Sequence, residues 1–232
     1  MKRKIIVILT IITILVITGP GAFAGGYYKI DTYNGFMGGF IASGETCKYR
    51  NSDNNQVYDL NSKDFAKFVL GIGSEYDKSE SLCFPLTLEL FIVGDKEYSG
   101  TYIWSRDGKG YPVKDKVNIN IIALTGEGRY KFNKGEKDII PYIGLGTGLY
   151  WWSVNLKYDH YYETGDSFLY ILWKERKRKL KYGIDVGFHI TAGILHPSKF
   201  FLEGKYRILK TDIGEGLPYN GFQINLGRQY KW

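Results

Sequence analysis

The sequence is poor in residues and segments that several common protein classes require. Its 232 residues contain only two cysteines, six prolines and two methionines. Two cysteines can form at most one disulfide, and neither directly follows the apolar N-terminal segment, so nothing indicates a lipoprotein. Beyond that segment no apolar run approaches the roughly 20 residues of a transmembrane helix. The sequence therefore excludes a bundle of membrane-spanning helices.

What the chain has in abundance is glycine and aromatic residues. It contains 29 glycines, 20 tyrosines and 13 phenylalanines, and its formal net charge is +7. Aromatic residues favour strands and glycines favour tight turns. The composition therefore indicates a β-protein.

The first 24 residues have the three parts of a secretory signal peptide. Residues 2–4 are basic, residues 5–18 are apolar, and residues 22–24 read Ala-Phe-Ala, which suits a cleavage site. An uncleaved membrane anchor is the alternative, but the apolar run is about 14 residues long and too short to span a bilayer. We expect a signal peptide at 1–24 and one domain at 25–232, whose net charge falls to +4 because the segment carries three basic residues.

Apolar residues alternate with polar or small residues in eight segments. The clearest runs from Leu82 to Ile92 and places Thr87 and Glu89 on the opposite face. In one segment the apolar phase changes from Val117 and Ile119 to Ile122, which predicts a β-bulge. The predicted strands are residues 34–44, 65–76, 82–94, 116–131, 139–156, 181–194, 199–210 and 220–232.

The connections between these strands are alternately long and short, as in transmembrane barrels. In hydrocarbon every backbone N–H and C=O must be paired within the protein, so strands can cross a membrane only as a closed barrel. The sequence therefore predicts an all-β fold: an eight-stranded antiparallel up-and-down transmembrane β-barrel.

The faces opposite the apolar stripes carry charges of both signs, which a barrel would turn into its lumen. We expect an internal salt-bridge network, because buried charges require partners. The inward set also includes Glu75, Glu127 and Arg129. The predicted lumen charge network consists of Glu89, Asp185, Glu203, Lys205 and Arg207.

The segments PYIGLGTGLYWW, LKYGIDVGFHITAGI, FFLEGKYRI and GFQINLGRQYKW resemble the second half of small outer-membrane β-barrel proteins. That family includes the outer membrane protein A and outer membrane protein W types. The resemblance implies an outer-membrane location and contact with outer-membrane lipid. It also implies that Tyr230 and Trp232 form the signal that the barrel-insertion machinery recognises. Arg228 departs from the pattern, which expects an outward apolar residue there.

A basic run precedes the sixth strand, in the predicted loop 157–180. In an outer loop it would face lipopolysaccharide, whose phosphates suit Arg and Lys; the alternative is a solvated hairpin without a partner. The apolar residues 168–173 before it predict an interfacial helix or the flank of a long projecting hairpin. Nucleic acid is not an expected partner of an exported chain, and we expect a monomer. The predicted lipopolysaccharide-contacting residues are Lys174, Arg176, Lys177, Arg178 and Lys179.

Two other functions stay open from the sequence. Resemblance to the outer membrane protein W type implies a narrow channel for small or apolar solutes. His196, Ser198 and Glu203 resemble the triad of barrel-type lipid A deacylases, in which histidine acts as base and serine as nucleophile. The predicted turn between two strands and the residue Lys199 after the serine argue against an enzyme, so we expect no catalytic residues.

The cysteines and histidines give no further site. His160 and His189 have no second metal ligand at useful spacing, so we expect neither a metal nor a cofactor. In the predicted topology Cys47 lies near the outer rim and Cys83 near the periplasmic rim. A disulfide needs Cα atoms within about 7 Å, and the membrane band is about 25 Å tall. The two cysteines should therefore not pair.

Overall fold

The computed structural model describes residues 32–50, 57–64, 66–93, 95–103, 109–132, 139–164, 171–213 and 216–231. The predicted signal peptide 1–24 lies outside these residues. Apart from a 3-10 turn at Ser62–Asp64, the described regular structure consists of strands. In chain order they are β1 Thr32–Ala42, β2 Thr46–Arg50, β3 Val57–Asn61, β4 Ala66–Asp77, β5 Leu82–Val93, β6 Asp95–Ile103, β7 Gly110–Lys131, β8 Ile140–Thr164, β9 Ile171–Leu195, β10 Phe200–Leu209 and β11 Gly221–Lys231.

Eight of these strands form a closed antiparallel ring. The order around the ring is β1, β4, β5, β7, β8, β9, β10 and β11. Pairing between β1 and β11 closes it without interruption, from Thr32 opposite Lys231 to Ala42 opposite Gly221. The predicted eight-stranded up-and-down barrel is confirmed. No helix among the described residues is long and apolar enough to cross a membrane.

The two ends of the barrel differ. One end, here called the turn end, carries both termini of the ring and the short connections after β4, β7 and β9. The other end, here called the loop end, carries the remaining connections. There β6 continues the line of β5 along β7, and β8 and β9 are 25 residues long. β8 and β9 are much longer than the 11-residue strand β1. At about 3.3 Å per residue, the additional residues lengthen each of them by more than 40 Å.

The outer wall is apolar and the inner wall is not uniformly polar. Outward side chains such as Ile72, Leu90, Ile184 and Ile224 are exposed, as predicted from the alternation. The predicted β-bulge is wrong, because β7 pairs with β8 in one register from Lys116 to Lys131. The apolar phase changes because the lumen near the loop end is itself apolar and accepts inward valine and isoleucine.

That apolar filling is here called the plug. It consists of inward residues of the ring together with side chains from the β2–β3 hairpin and from the β10–β11 connection, which cover the mouth of the barrel. Its members include Phe40, Tyr49, Tyr58, Leu60, Phe91, Val117, Ile119, Ile121, Tyr150, Trp152, Leu209, Ile213, Leu217 and Tyr219.

The predicted strand boundaries hold best where the outer wall of the ring carries exposed apolar side chains. Strands β1, β4, β5, β10 and β11 begin and end within two residues of the prediction. The sequence did not predict β2, β3 and β6, and β7, β8 and β9 are longer than expected. These additions lie at the loop end. There one face of each of β2, β3 and β7 packs into the plug, and the opposite face carries mainly charged and polar residues instead of a long apolar stripe.

Candidate functional site

Below the plug the lumen is filled by buried charged residues, here called the charge network. Glu89 lies at its centre, completely buried, and binds Arg207 Nη2 and Lys205 Nζ, the latter at 3.2 Å. Thr125 donates a hydrogen bond to the same carboxylate at 3.1 Å. Arg207 also donates to the hydroxyl of Tyr150 at 2.7 Å and thereby connects the network to the plug.

A second group lies closer to the turn end, around Arg129. Its guanidinium binds Glu203 Oε2 at 2.7 Å and Glu127 Oε1 at 2.9 Å. Lys205 Nζ lies 3.7 Å from Glu203 and connects the two groups. His189 Nε2 lies 3.2 Å from Glu127.

The last group closes the turn end. Lys131 Nζ lies 2.5 Å from Glu75 and 3.0 Å from Asp77, and Arg129 lies 3.7 Å from Glu75. Glu75, Asp77 and Cys83 together offer three potential metal ligands within 4.8 Å of one another. The ammonium group of Lys131 contacts both carboxylates, and Arg129 supplies a second positive charge beside Glu75.

Four of the five predicted network residues are brought together, namely Glu89, Glu203, Lys205 and Arg207. Asp185 lies apart: it is half-buried, accepts a hydrogen bond from Trp152 Nε1, and accepts another from the backbone N–H of Asp212 at 3.2 Å. Asp185 faces inward, but it lies beside the plug rather than in the charge network. Strand alternation predicts the face of a side chain and not its position along the barrel axis. Lys131 was missed because it lies at a strand end.

The side chains at the centre of the network are shielded from solvent. Glu89, Lys205 and Arg207 are each exposed by 3% or less, so solvent does not reach them. The plug residues nearer the loop end are buried as well, so buried side chains fill the lumen at two levels.

The candidate triad is not assembled. Glu203 is buried in the lumen, where Arg129, Tyr142 and Asn225 bind its carboxylate. His196 and Ser198 are exposed in the β9–β10 turn, where His196 Nδ1 lies 2.6 Å from Ser198 Oγ. Their contact stabilises the turn.

The cysteines lie in different parts of the barrel and do not form a disulfide with each other. Cys47 is buried in the plug, and its thiol donates to the carbonyl of Ile213 at 3.5 Å. Cys83 is buried in β5, near the turn end. His160 packs its ring edge-on against Tyr158 in β8 rather than lying in a loop.

The predicted basic loop is a strand. Lys174 to Lys179 belong to β9 and pair with β8 up to Thr164, so the expected loop 157–180 is largely a projecting hairpin. Residues 171–173 belong to the same strand, which agrees with the hairpin-flank alternative, whereas 168–170 lie outside the described residues. Strand alternation separates the cations: Lys174, Arg176 and Arg178 share the outward face, while Lys177 and Lys179 lie on the opposite face.

Neighbouring strands add cations that the sequence did not single out. Lys116, Lys157 and Arg178 are direct neighbours on β7, β8 and β9. The surface here called the basic outer face comprises these three residues together with Lys114, Lys174 and Arg176.

Two acidic residues neutralise part of this surface. Lys116 Nζ lies 2.6 Å from Asp95, and this hydrogen bond lowers the pKa of Asp95 and raises that of Lys116. Lys174 Nζ lies 2.9 Å from Asp159. Burial raises the pKa of Asp159, but hydrogen bonds from Lys174 and the backbone of Lys114 outweigh burial and hold that pKa below its usual value. Among the described residues, no carboxylate pairs with Lys157, Arg176 or Arg178.

The predicted insertion signal is described in part. Tyr230 is exposed on the outer wall at the turn end, and Trp232 lies outside the described residues. Arg228 faces outward in an uninterrupted register, so its departure from the pattern is not a slip of the strand.

Comparison with solved structures returns small outer-membrane β-barrels. Neisserial surface protein A is 13% identical with a TM-score of 0.48, covering 88% of this chain and 98% of that chain. Ail of Yersinia pestis is 11% identical with a TM-score of 0.41, covering 86% and 97%. The N-terminal barrel of Pseudomonas aeruginosa OprF is 11% identical with a TM-score of 0.37, covering 86% and 96%.

No protein-family model matches the chain, and no curated protein matches it. The three barrels belong to the class that the closing segments resemble. At such low identity the likeness concerns the fold alone, and the functional argument rests on this barrel's own residues.

Proposed function

We propose that the protein is a non-enzymatic outer-membrane barrel that binds lipopolysaccharide through its basic outer face. Export would use residues 1–24 as a cleaved signal peptide, and insertion would use Tyr230 and Trp232. The observation that carries the proposal is the row of three cations, Lys116, Lys157 and Arg178, on adjacent strands.

Such a row is unfavourable without an anion. Like charges directly opposite each other destabilise a sheet. Asp95 forms an ion pair with Lys116 and interacts with Lys157 at longer range, so it neutralises the three cations only in part. A phosphate placed over the row would accept hydrogen bonds from Lys157 and Arg178 and relieve their repulsion.

The height of the row suits the phosphates of an outer leaflet. On β7, Lys116 lies six residues above Ile122, a residue of the lipid-facing wall, with Asn118 and Asn120 between them. At about 3.3 Å per residue and a tilt of about 40°, the row lies roughly 15 Å above that isoleucine. The row would therefore extend past the apolar wall, on the side of the barrel where lipopolysaccharide phosphates would lie.

The test compares two variants with equal loss of charge. In Lys157→Gln/Arg178→Gln the outward face loses two cations; in the control, Lys177→Gln/Lys179→Gln, the opposite face of the same hairpin loses two. Purified folded barrel is titrated with lipopolysaccharide. We expect the outward variant to bind at least about tenfold more weakly, since each cation near an anionic surface contributes about 1 kcal/mol. The control should stay within about twofold of the original protein.

Equal losses in both variants would mean that the hairpin attracts lipopolysaccharide only by net charge, and would overturn the proposed face. Unchanged affinity in both variants would contradict lipopolysaccharide binding by this hairpin. Outer-membrane location is tested separately by cell fractionation and by heat-modifiable migration on a denaturing gel. Recovery of the mature chain from the soluble periplasm would contradict it.

A further inference from the structure

Arg228 is a cation on the lipid-facing wall at the turn end, far from the basic outer face. Its guanidinium lies over the rings of Phe200 and Tyr230, at 5.2 and 5.5 Å from their centroids. Among the described residues no carboxylate forms an ion pair with it. The side chain is therefore held in place by aromatic neighbours and has no counter-ion in the part of the chain that the structure describes.

A groove of about 720 Å³ in the outer wall begins at Arg228. It crosses the wall from Phe200 on β10 to Ile122 on β7, and Arg228 is the single charged residue in its lining. Six strands spaced by about 4.8 Å give it a length of roughly 24 Å. Because strands tilt in a barrel, a groove that crosses them also rises into the hydrocarbon.

The groove exists because Gly35, the direct neighbour of Arg228 on β1, has no side chain. A Cβ built at Gly35 would meet no atom within 4 Å. Gly38 on the same strand differs, because a Cβ there would lie 2.5 Å from a backbone oxygen. Gly38 faces the lumen and Gly35 faces outward, so the open space at 35 lies on the outer wall, where another molecule can occupy it.

We propose that this groove binds one anionic glycerophospholipid of the leaflet at the turn end, with its phosphate on Arg228 and an acyl chain over Gly35. An arginine without a counter-ion suits a phosphate because its N–H donors match two phosphate oxygens. The proposal rests on the barrel spanning a membrane, and it is independent of lipopolysaccharide binding at the other end.

A second groove on the same wall provides the internal control. It has a volume of about 570 Å³ and is lined by Gly126, Gly128, Leu145 and Phe188 among others, with no basic residue. It thus offers apolar space without a cation. Filling it should not affect a lipid held by Arg228.

The test is native mass spectrometry of the detergent-purified barrel titrated with phosphatidylglycerol or phosphatidylcholine. The original protein should bind one phosphatidylglycerol about tenfold more tightly than phosphatidylcholine. Arg228→Gln should abolish this preference and Arg228→Lys should retain part of it. Gly35→Leu should weaken binding of both lipids, whereas Gly126→Leu should change neither. Heat-modifiable migration shows that each variant is folded.

Equal affinity of the original protein for the two lipids would overturn the proposal, as would an unchanged preference in Arg228→Gln. Equal effects of Gly35→Leu and Gly126→Leu would show that lipid does not occupy this groove specifically. Lipopolysaccharide affinity measured on Arg228→Gln should be unchanged, so failure here and failure of the outer-face proposal give different results.

Discussion

The lumen of this barrel is filled in two different ways. Toward the loop end, inward positions carry isoleucine, valine and aromatic residues that pack with the β2–β3 hairpin and the β10–β11 connection. Toward the turn end, equivalent inward positions on the same strands carry acids and bases in contact with one another. β7 shows both within one strand, since Ile119 and Ile121 face the plug and Glu127 and Arg129 face the network.

The difference shows that inward does not mean polar. A lumen closed to water accepts apolar side chains as readily as charges, provided that each charge has a partner. The two fillings should respond differently to substitution, because an apolar cavity costs packing while a broken ion pair leaves a buried charge.

Breaking the network at its centre should have the largest effect on stability. Glu89→Leu leaves Arg207 and Lys205 without their shared carboxylate, and we expect a loss of about 3–5 kcal/mol in the free energy of unfolding. The measurement is urea unfolding of the barrel in lipid vesicles. Arg207→Leu and the double variant complete the cycle; the double variant should lose less than the sum of the single losses. Additive losses would mean that the two residues are not coupled.

A cavity in the plug should lower the free energy of unfolding by less than the loss of Glu89 does. Ile119 is completely buried, and Ile119→Ala should lower the free energy of unfolding by about 2–4 kcal/mol through the cavity that remains. The matched control is Ile184→Ala, whose side chain faces lipid and leaves no cavity, with an expected loss near or below about 1.5 kcal/mol. The same unfolding assay compares them. Equal losses would indicate that the plug is loosely packed, and the contrast between the two fillings would then be weaker.

The acid–base pair on the projecting hairpin lies outside both fillings and should contribute less still. The pKa of Asp159 is held below its usual value, so its contribution to stability is present above about pH 4 and is lost as the pH falls through the lowered pKa. Because Lys174 is half exposed, the contribution should be at most about 1 kcal/mol. Thermal unfolding at pH 7 and pH 3 measures it. Asp159→Asn should reduce the difference between the two pH values, and an unchanged difference would exclude this pair as its source.

The strands that face lipid were predictable, and the plug was not. On β5, β10 and β11 exposed apolar residues of the outer wall alternate with buried inward residues, so the sequence predicts the correct phase for the outward series from Leu82 to Ile92. The plug combines Val117 and Ile119 with side chains from the distant β2–β3 hairpin, and no local pattern reports a contact across that separation. The phase change in β7 was therefore misread as a bulge.

In the candidate site, too, the direction of a side chain was predictable from the sequence, whereas contacts between distant strands were not. Glu89, Glu203, Lys205 and Arg207 were recognisable as inward charges, but alternation gives the direction of a side chain and not its height. Asp185 was grouped with them for that reason, although it contacts Trp152 near the plug. The basic outer face was recognised only on β9, since the cross-strand row with Lys116 and Lys157 depends on register.

Substitutions in either filling alone should have their smallest effect on ion conductance. Conductance also tests directly whether the plug and the network block ions independently. Because buried side chains of the plug and of the network fill the lumen at two levels, we expect the original barrel to be nearly silent in planar lipid bilayers. Leu217→Ser loosens the cover at the loop end but leaves the network intact, so it should also be silent. Glu89→Ala/Arg207→Ala opens the network beneath an intact plug and should be silent as well. Only the combination of all three substitutions is expected to conduct. Ion flow through the original barrel would show that neither filling closes the lumen in a membrane.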